Sequence, residues 1–330
     1  MLQSKFMANR PRRKAAPVNP RASASPAHPM PPTVDPGWIL GAFAVVLLAA
    51  LLCAYLTLCW FYHQGAWQLV LQPTATVSAT PATLNIPYEN IAFDDTETGH
   101  PQLTGWWIPA APAAPRPDLT ILYFHDGRGN LGDILPALKP LHDLGLNVFA
   151  IDYRGFGRSD AMHPSEKHMY ADGDATWTYL TGTRKLPPGR IVVYGDRIGA
   201  AVAAQTALRH PDAAAVVLIA PFASLLPRAM ADPRSRIVPS MLFHERFDLV
   251  PHIAQLRQPK LIGFTGSETR SSSPAPQCTS TAEVQRIYAA AAFPKQLFNG
   301  NGSALPPTAY AEFLSRFLDE YVPRTTAAHQ

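Results

Sequence analysis

A glycine-framed turn, Gly195-Asp196-Arg197-Ile198-Gly199, is where the residue types and spacing of this chain come nearest to chemistry. It follows the apolar run Ile191-Val192-Val193-Tyr194 and opens into an alanine-rich stretch at 200–208. A strand that ends in small-x-tip-x-small before a helix is the turn that presents a nucleophile in covalent hydrolysis, because glycine lets the two backbones approach around a sharp bend. The tip here is Arg197. A guanidinium stays protonated, has no acceptor lone pair and cannot attack a carbonyl. Asp196 is the rival nucleophile, but with Asp196 at the tip the flanking positions become Tyr194 and Ile198, both too bulky for that approach. Ser224 and the run Ser271-Ser272-Ser273 have no glycine framing and read as capping or loop serines.

The turn needs a scaffold, and the surrounding pattern supplies one. Strand-like runs recur at 90–93, 105–108, 120–124, 148–152, 190–194, 215–219, 260–264 and 295–298, most of them apolar throughout as buried parallel strands are. Helical segments are predicted at 131–144, 166–181, 199–209, 283–291 and 308–321. Alternation of this kind predicts an α/β domain with a mostly parallel, eight-stranded sheet covered by helices on both faces. Residues 86–322 suit one such domain.

Four further landmarks accompany the turn: Tyr123-Phe124-His125-Asp126-Gly127; the stretch from Asn147 through Asp152-Tyr153-Arg154-Gly155-Phe156-Gly157 to Ser159; Ala220-Pro221-Phe222-Ala223-Ser224; and Arg246-Phe247-Asp248 with Gln258-Pro259-Lys260 before a late strand. Together with the turn they resemble the α/β-hydrolase superfamily, closest to its membrane-anchored, serine aminopeptidase-like esterase branch. The resemblance implies a triad in the chain order nucleophile, acid, histidine. The acid position, after the strand at 260–264, falls in Gly266-Ser267-Glu268, so Glu268 stands in for the usual aspartate. The histidine position falls in Gly300-Asn301-Gly302-Ser303, where Ser303 replaces it, and no histidine occurs between His252 and His329. The backbone N–H groups of Gly127 and Ile198 are the implied oxyanion hole.

With Arg197 for serine and Ser303 for histidine, two of three triad positions are replaced, and hydroxyl activation needs nucleophile and base together. The expected function is that of a membrane-anchored, catalytically inactive α/β-hydrolase-like protein that keeps a pocket for a small ligand or a protein. The alternative is an active hydrolase of small ester, amide or thioester substrates through Asp196 or an unrecognised serine. Arg197 needs a partner if buried. The space freed by Ser303 suggests Glu268, with Ser303 as an acceptor and Asp126 and Asp152 as further partners. The run at 267–281, rich in Ser, Pro and Thr, is the loop that would carry the acid.

Location is written at the N-terminus. Residues 36–88 contain no Asp, Glu, Lys or Arg, and 38–62 is a mostly apolar run that at about 1.5 Å per residue crosses a hydrocarbon core of roughly 30 Å. Trp38 at one end and Trp60, Phe61 and Tyr62 at the other suit interfacial anchoring. Lys5, Arg10, Arg12, Arg13, Lys14 and Arg21 precede the run and only Asp35 opposes them, which predicts a cytoplasmic N-terminus and a periplasmic or otherwise extracytoplasmic domain. Residues 1–37, with eight prolines, are expected to be a disordered basic tail, 63–85 a spacer rich in Thr, Ala and Pro, and 323–330 a second disordered tail. The first 37 residues carry +5, leaving −1 on the other 293 of a total of +4. Nothing in the main domain resembles a nucleic-acid footprint. Cys53 and Cys59 lie in the apolar run and Cys278 in a loop, so no disulfide is expected within the domain; no Cys or His cluster has metal-ligand spacing, and no cofactor is expected.

Overall fold

The structure is a computed structural model that describes residues 35–94, 102–264, 279–300 and 307–324. The chain divides into two compact units, Met1–Ala54 and Tyr55–Gln330. The first unit is described by α1, Pro36–Gly65, which continues into the second. Its start follows from local chemistry. Asp35 accepts from the Gly37 N–H at 2.8 Å, and Pro36 occupies the first helical position, where its missing N–H costs nothing. The helix is 30 residues long, apolar and uncharged, long and apolar enough to cross a membrane.

The second unit is built on an eight-stranded sheet. Its strands are β1 Glu89–Phe93, β2 Leu103–Ile108, β3 Thr120–Phe124, β4 Asn147–Asp152, β5 Ile191–Asp196, β6 Ala215–Ile219, β7 Lys260–Phe264 and β8 Lys295–Asn299. In space they run β8-β7-β6-β5-β3-β4-β2-β1. β3 through β8 are parallel, while β2 lies antiparallel to both of its neighbours. This is the mostly parallel, eight-stranded α/β sheet that the alternating runs predict, with each strand located within a few residues.

Pleating divides the central strands between two cores. Leu122, Phe124, Phe149, Ile151, Val193 and Leu218 face one side, and Ile121, Tyr123, Val148, Ala150, Val192 and Val217 the other. The first core is covered by α3 (Glu166–Thr178), α4 (Gly199–Arg209), α6 (Leu249–Ile253) and α7 (Thr281–Ala290). The second is covered by α2 (Leu135–Asp143) and α8 (Pro307–Tyr321). Between β6 and α6 the chain forms the short helix α5, Leu226–Ala231, followed by 3-10 turns at Pro233–Ile237 and Ser240–Leu242. Ser165 and Ser280 cap α3 and α7, accepting from the N–H groups of His168 and Glu283.

Of residues 63–85, expected as a spacer, 63–65 end α1 and 66–85 lie along the domain. Leu71, Pro81 and Ile86 are buried. Gln72–Pro73 pairs in parallel with Arg128–Gly129 in the loop after β3. The segment begins and ends in 3-10 turns, Ala66–Leu69 and Pro81–Leu84, and packs Trp67, Val70 and Val77 against the two cores.

Candidate active site

The elbow keeps its demanding geometry. Arg197 sits at φ +50°, in the left-handed region that favours glycine, and its N–H donates to the Ile219 carbonyl at 2.8 Å. A Cβ on Gly195 would lie 2.3 Å from the Gly199 oxygen, and one on Gly199 only 2.1 Å from the Phe124 oxygen. Both glycines are therefore obligatory, and together they bring β5, α4 and the end of β3 into backbone contact. That contact sets Ile198 beside the loop His125-Asp126-Gly127.

The loop is turned toward the elbow by a carboxylate. Asp126 Oδ1 accepts from the Gly127 N–H at 2.8 Å, and the Ile198 N–H also bonds to the same carboxyl group. These are the two N–H groups that the resemblance assigns to an oxyanion hole. Asp126 Oδ2 lies 3.6 Å from an Arg197 guanidinium nitrogen; the arginine side chain is 36% exposed and the aspartate 15%. Burial raises the Asp126 carboxyl above the usual range, and Arg197, the two N–H groups and Arg128 oppose that rise. Burial likewise lowers the Arg128 guanidinium, with Asp126 opposing. The site is thus one carboxylate between two cations, held on two backbone donors.

Behind the loop, His125 is fully buried. Its Nδ1 lies 2.5 Å from the Asp126 carbonyl and its Nε2 3.7 Å from Asp152 Oδ1. Burial lowers the imidazole to about 4 and raises the Asp152 carboxyl to about 6, the latter opposed by the Leu131 N–H at 2.9 Å. Tyr153 donates from its hydroxyl to the His125 carbonyl at 3.0 Å. A neutral, enclosed imidazole of this kind holds the loop's backbone and has no path to a substrate.

Of the residues singled out in the sequence, the structure brings Gly127, Gly195, Asp196, Arg197, Ile198 and Gly199 together with Asp126. Glu268 and Ser303 lie outside the described residues. The strands before them, β7 and β8, end at the same edge of the sheet as β5, and the Gly300 N–H bonds to the Phe264 carbonyl at 2.8 Å. Asp152 faces His125 and the Leu131 N–H. Ser224 Oγ lies 3.3 Å from the Leu226 N–H at the start of α5. Among the described residues no group of His, Cys, Asp and Glu is arranged to hold a metal ion. Asp126, named from the sequence only as a further partner of Arg197, is the carboxylate that meets it.

Comparison with known proteins agrees with this architecture. The family described as "Serine aminopeptidase, S33" matches residues 115–293. An uncharacterised protein of Mycobacterium tuberculosis is 30% identical over 260 residues, covering 77% of this chain and 85% of the relative. The α/β-hydrolase domain-containing protein WAV2 of Arabidopsis thaliana is 34% identical over 152 residues, and the protein bem46 of Schizosaccharomyces pombe 34% over 148. Each of these last two alignments spans about half the relative's length, 48%. Among solved structures, an esterase of Pyrococcus furiosus superposes with a TM-score of 0.59 at 21% identity, covering 76% of this chain and 98% of that one. At that identity the likeness is one of fold.

Proposed function

The chain belongs to the serine aminopeptidase family of α/β-hydrolases, and we propose that it is a non-catalytic, membrane-anchored member whose elbow binds a ligand or a protein in place of hydrolysing a substrate. One observation carries the reading: the Asp126 carboxylate accepts from both the Gly127 and Ile198 N–H groups and faces Arg197 at the tip. Acyl transfer in this fold needs a nucleophile, a base, and donors waiting for the oxyanion. Arg197 supplies no nucleophile. The donors are already engaged by a resident anion, and a second negative charge forming beside Asp126 would be repelled. What remains is a recognition site: if the Asp126 side chain swings out, Arg197 and the two N–H groups present one cation and two donors to a carboxylate on the incoming molecule.

Anchoring rests on α1, and orientation on the basic residues before it. The domain is assigned to the extracytoplasmic side because positive flanks stay in the cytoplasm.

The test is direct. Full-length protein purified in detergent is exposed to a serine-directed fluorophosphonate probe and to a panel of short acyl esters. We expect no labelling and no turnover above a preparation from cells lacking the gene. An acyl or phosphonyl adduct mapped by mass spectrometry to the elbow or the Asp126 loop would overturn the non-catalytic reading. A reporter active only in an oxidising compartment, fused after Gln330, should be active; silence there, with activity of a cytoplasmic reporter, reverses the topology.

A further inference from the structure

The end of α1 is bonded to an exposed strip of the domain. Tyr55 donates from its hydroxyl to the Ile237 carbonyl at 3.2 Å, the Tyr62 hydroxyl lies 2.8 Å from Ser235 Oγ, and the His63 and His244 rings meet edge to face at 4.8 Å. Beneath these contacts Ala66, Ala229 and Phe243 are buried against Tyr62, Leu226 and Met230. The segment at 226–244 is therefore fixed to the last turns of α1 and goes where they go.

That strip has the wrong surface for water. Ile237 is 60% exposed and Met241 73%, and among the described residues only Leu84, Met162 and Phe293 are other exposed large apolar side chains outside α1. Arg234 and Arg236 are exposed beside them; with Asp232 paired to Arg234, residues 232–241 carry one net positive charge. Apolar side chains at the tip and arginines at the shoulder are what a bilayer interface accepts, the aliphatic parts among acyl chains and the guanidinium groups at phosphate level. Depth agrees. Counted from Trp38 at about 1.5 Å per residue, a core of roughly 30 Å ends near Leu58, so Tyr55 lies just inside the hydrocarbon boundary and Trp60 and Phe61 just outside it. The carbonyl that Tyr55 holds belongs to Ile237.

We propose that residues 234–241 dock into the adjacent lipid leaflet, with Ile237 and Met241 among the acyl chains and Arg234 and Arg236 against lipid phosphates. The inference rests on the reading of α1 as a membrane span.

The test uses the full chain with its three cysteines changed to serine and one nitroxide label at a time on Ile237→Cys, Met241→Cys, Leu47→Cys within α1, or Lys139→Cys on an exposed face of α2. The protein is reconstituted into vesicles of phosphatidylcholine and phosphatidylglycerol. Collision of the label with oxygen, which concentrates in lipid, is compared with collision with a water-soluble nickel chelate. The labels at 237 and 241 should favour oxygen several-fold over the label at 139. If 237 and 241 behave like 139 while 47 reports hydrocarbon, the docking inference fails and the span stands. If all four report water, the span reading fails and docking with it. Two positions are probed so that loss of one variant leaves the other to decide.

Discussion

Replacing Arg197 by alanine removes the cation nearest the Asp126 carboxylate, and the cost can be worked from their geometry. At 3.6 Å the attraction between unit charges is about 1 kcal/mol in bulk water and about 4 to 5 kcal/mol at the effective dielectric of a protein surface. The arginine side chain is 36% exposed, so the pair lies toward the wet limit and a coupling of about 1 to 2 kcal/mol is expected. The carboxylate keeps its bonds from Gly127 and Ile198 in the variant, which limits the loss further. A double-mutant cycle isolates the quantity: Arg197→Ala, Asp126→Asn and the pair together, each unfolded by urea as the full chain in non-ionic detergent and followed by tryptophan fluorescence. Arg197→Gly adds a second axis. At φ +50° a side chain costs roughly 1 to 2 kcal/mol, against about 0.5 to 1 for the entropy glycine loses on folding, so the glycine variant should exceed the alanine variant by up to about 1.5 kcal/mol. Coupling below about 0.3 kcal/mol, the scatter of independent sites, would refute the carboxylate clasp; so would an Arg197→Ala protein more stable than the parent.

Three other outcomes follow from the same geometry. Arg197→Ser with Ser303→His should gain no esterase burst, whereas adding Asp126→Gly, which frees both donors, should raise turnover by about 10²-fold or more over the double variant in a stopped-flow acyl ester assay. Gly199→Ala should cost several kcal/mol, because its Cβ would meet main-chain oxygen at 2.1 Å; Gly182→Ala, with nothing within 4 Å, should be near neutral, and thermal melts separate the two. Stability near pH 5 should divide Asp152 from His125. The imidazole, held near 4 in the folded state against an ordinary 6.5, stays neutral while the unfolded chain protonates, so its contribution is present above 6.5 and is lost as pH falls through that window. The Asp152 carboxyl, raised from 3.8 to about 6, works the other way and gives back about 3 kcal/mol as pH falls from 6 to 3.8. Asp152→Asn removes that compensation, so urea melts at pH 4 and pH 7 should show a steeper acid loss in the variant than in the parent.

The elbow was legible because glycine at 195 and 199 answers a steric demand local to nine residues of sequence, and the strands because runs buried on both faces are apolar throughout. The bond between Asp126 and the Ile198 N–H joins residues 72 positions apart, and nothing in either stretch of sequence announces a partner at that distance. The space freed by Ser303 points to Glu268 as the partner of Arg197; Asp126, named as a further partner, is the carboxylate beside it, and Glu268 lies outside the described residues. Helices α5 and α6, six and five residues long, are too short to show a helical period. The strip at 66–85 is composed largely like a linker, and its scattered larger residues, among them Trp67, Val70, Leu71 and Val77, mark the side that packs.

Pairing of Gln72–Pro73 with the loop after β3 makes that strip a mechanical link. The Gln72 N–H bonds to the Gly127 carbonyl at 2.7 Å and the Thr74 N–H to the Gly129 carbonyl at 3.1 Å, while a Cβ on Gly127 would meet Leu71 at 2.7 Å. Seven residues separate Gly65, the last of α1, from Pro73, so a pull on the helix reaches the Asp126 loop through one short run of chain and two backbone hydrogen bonds. A fragment trimmed to begin at residue 86 would shed that prop together with α1. If α1 spans a membrane as proposed, attachment and site integrity become one property of this protein, and lateral tension in that membrane would be an input to the same loop that holds the carboxylate over the elbow.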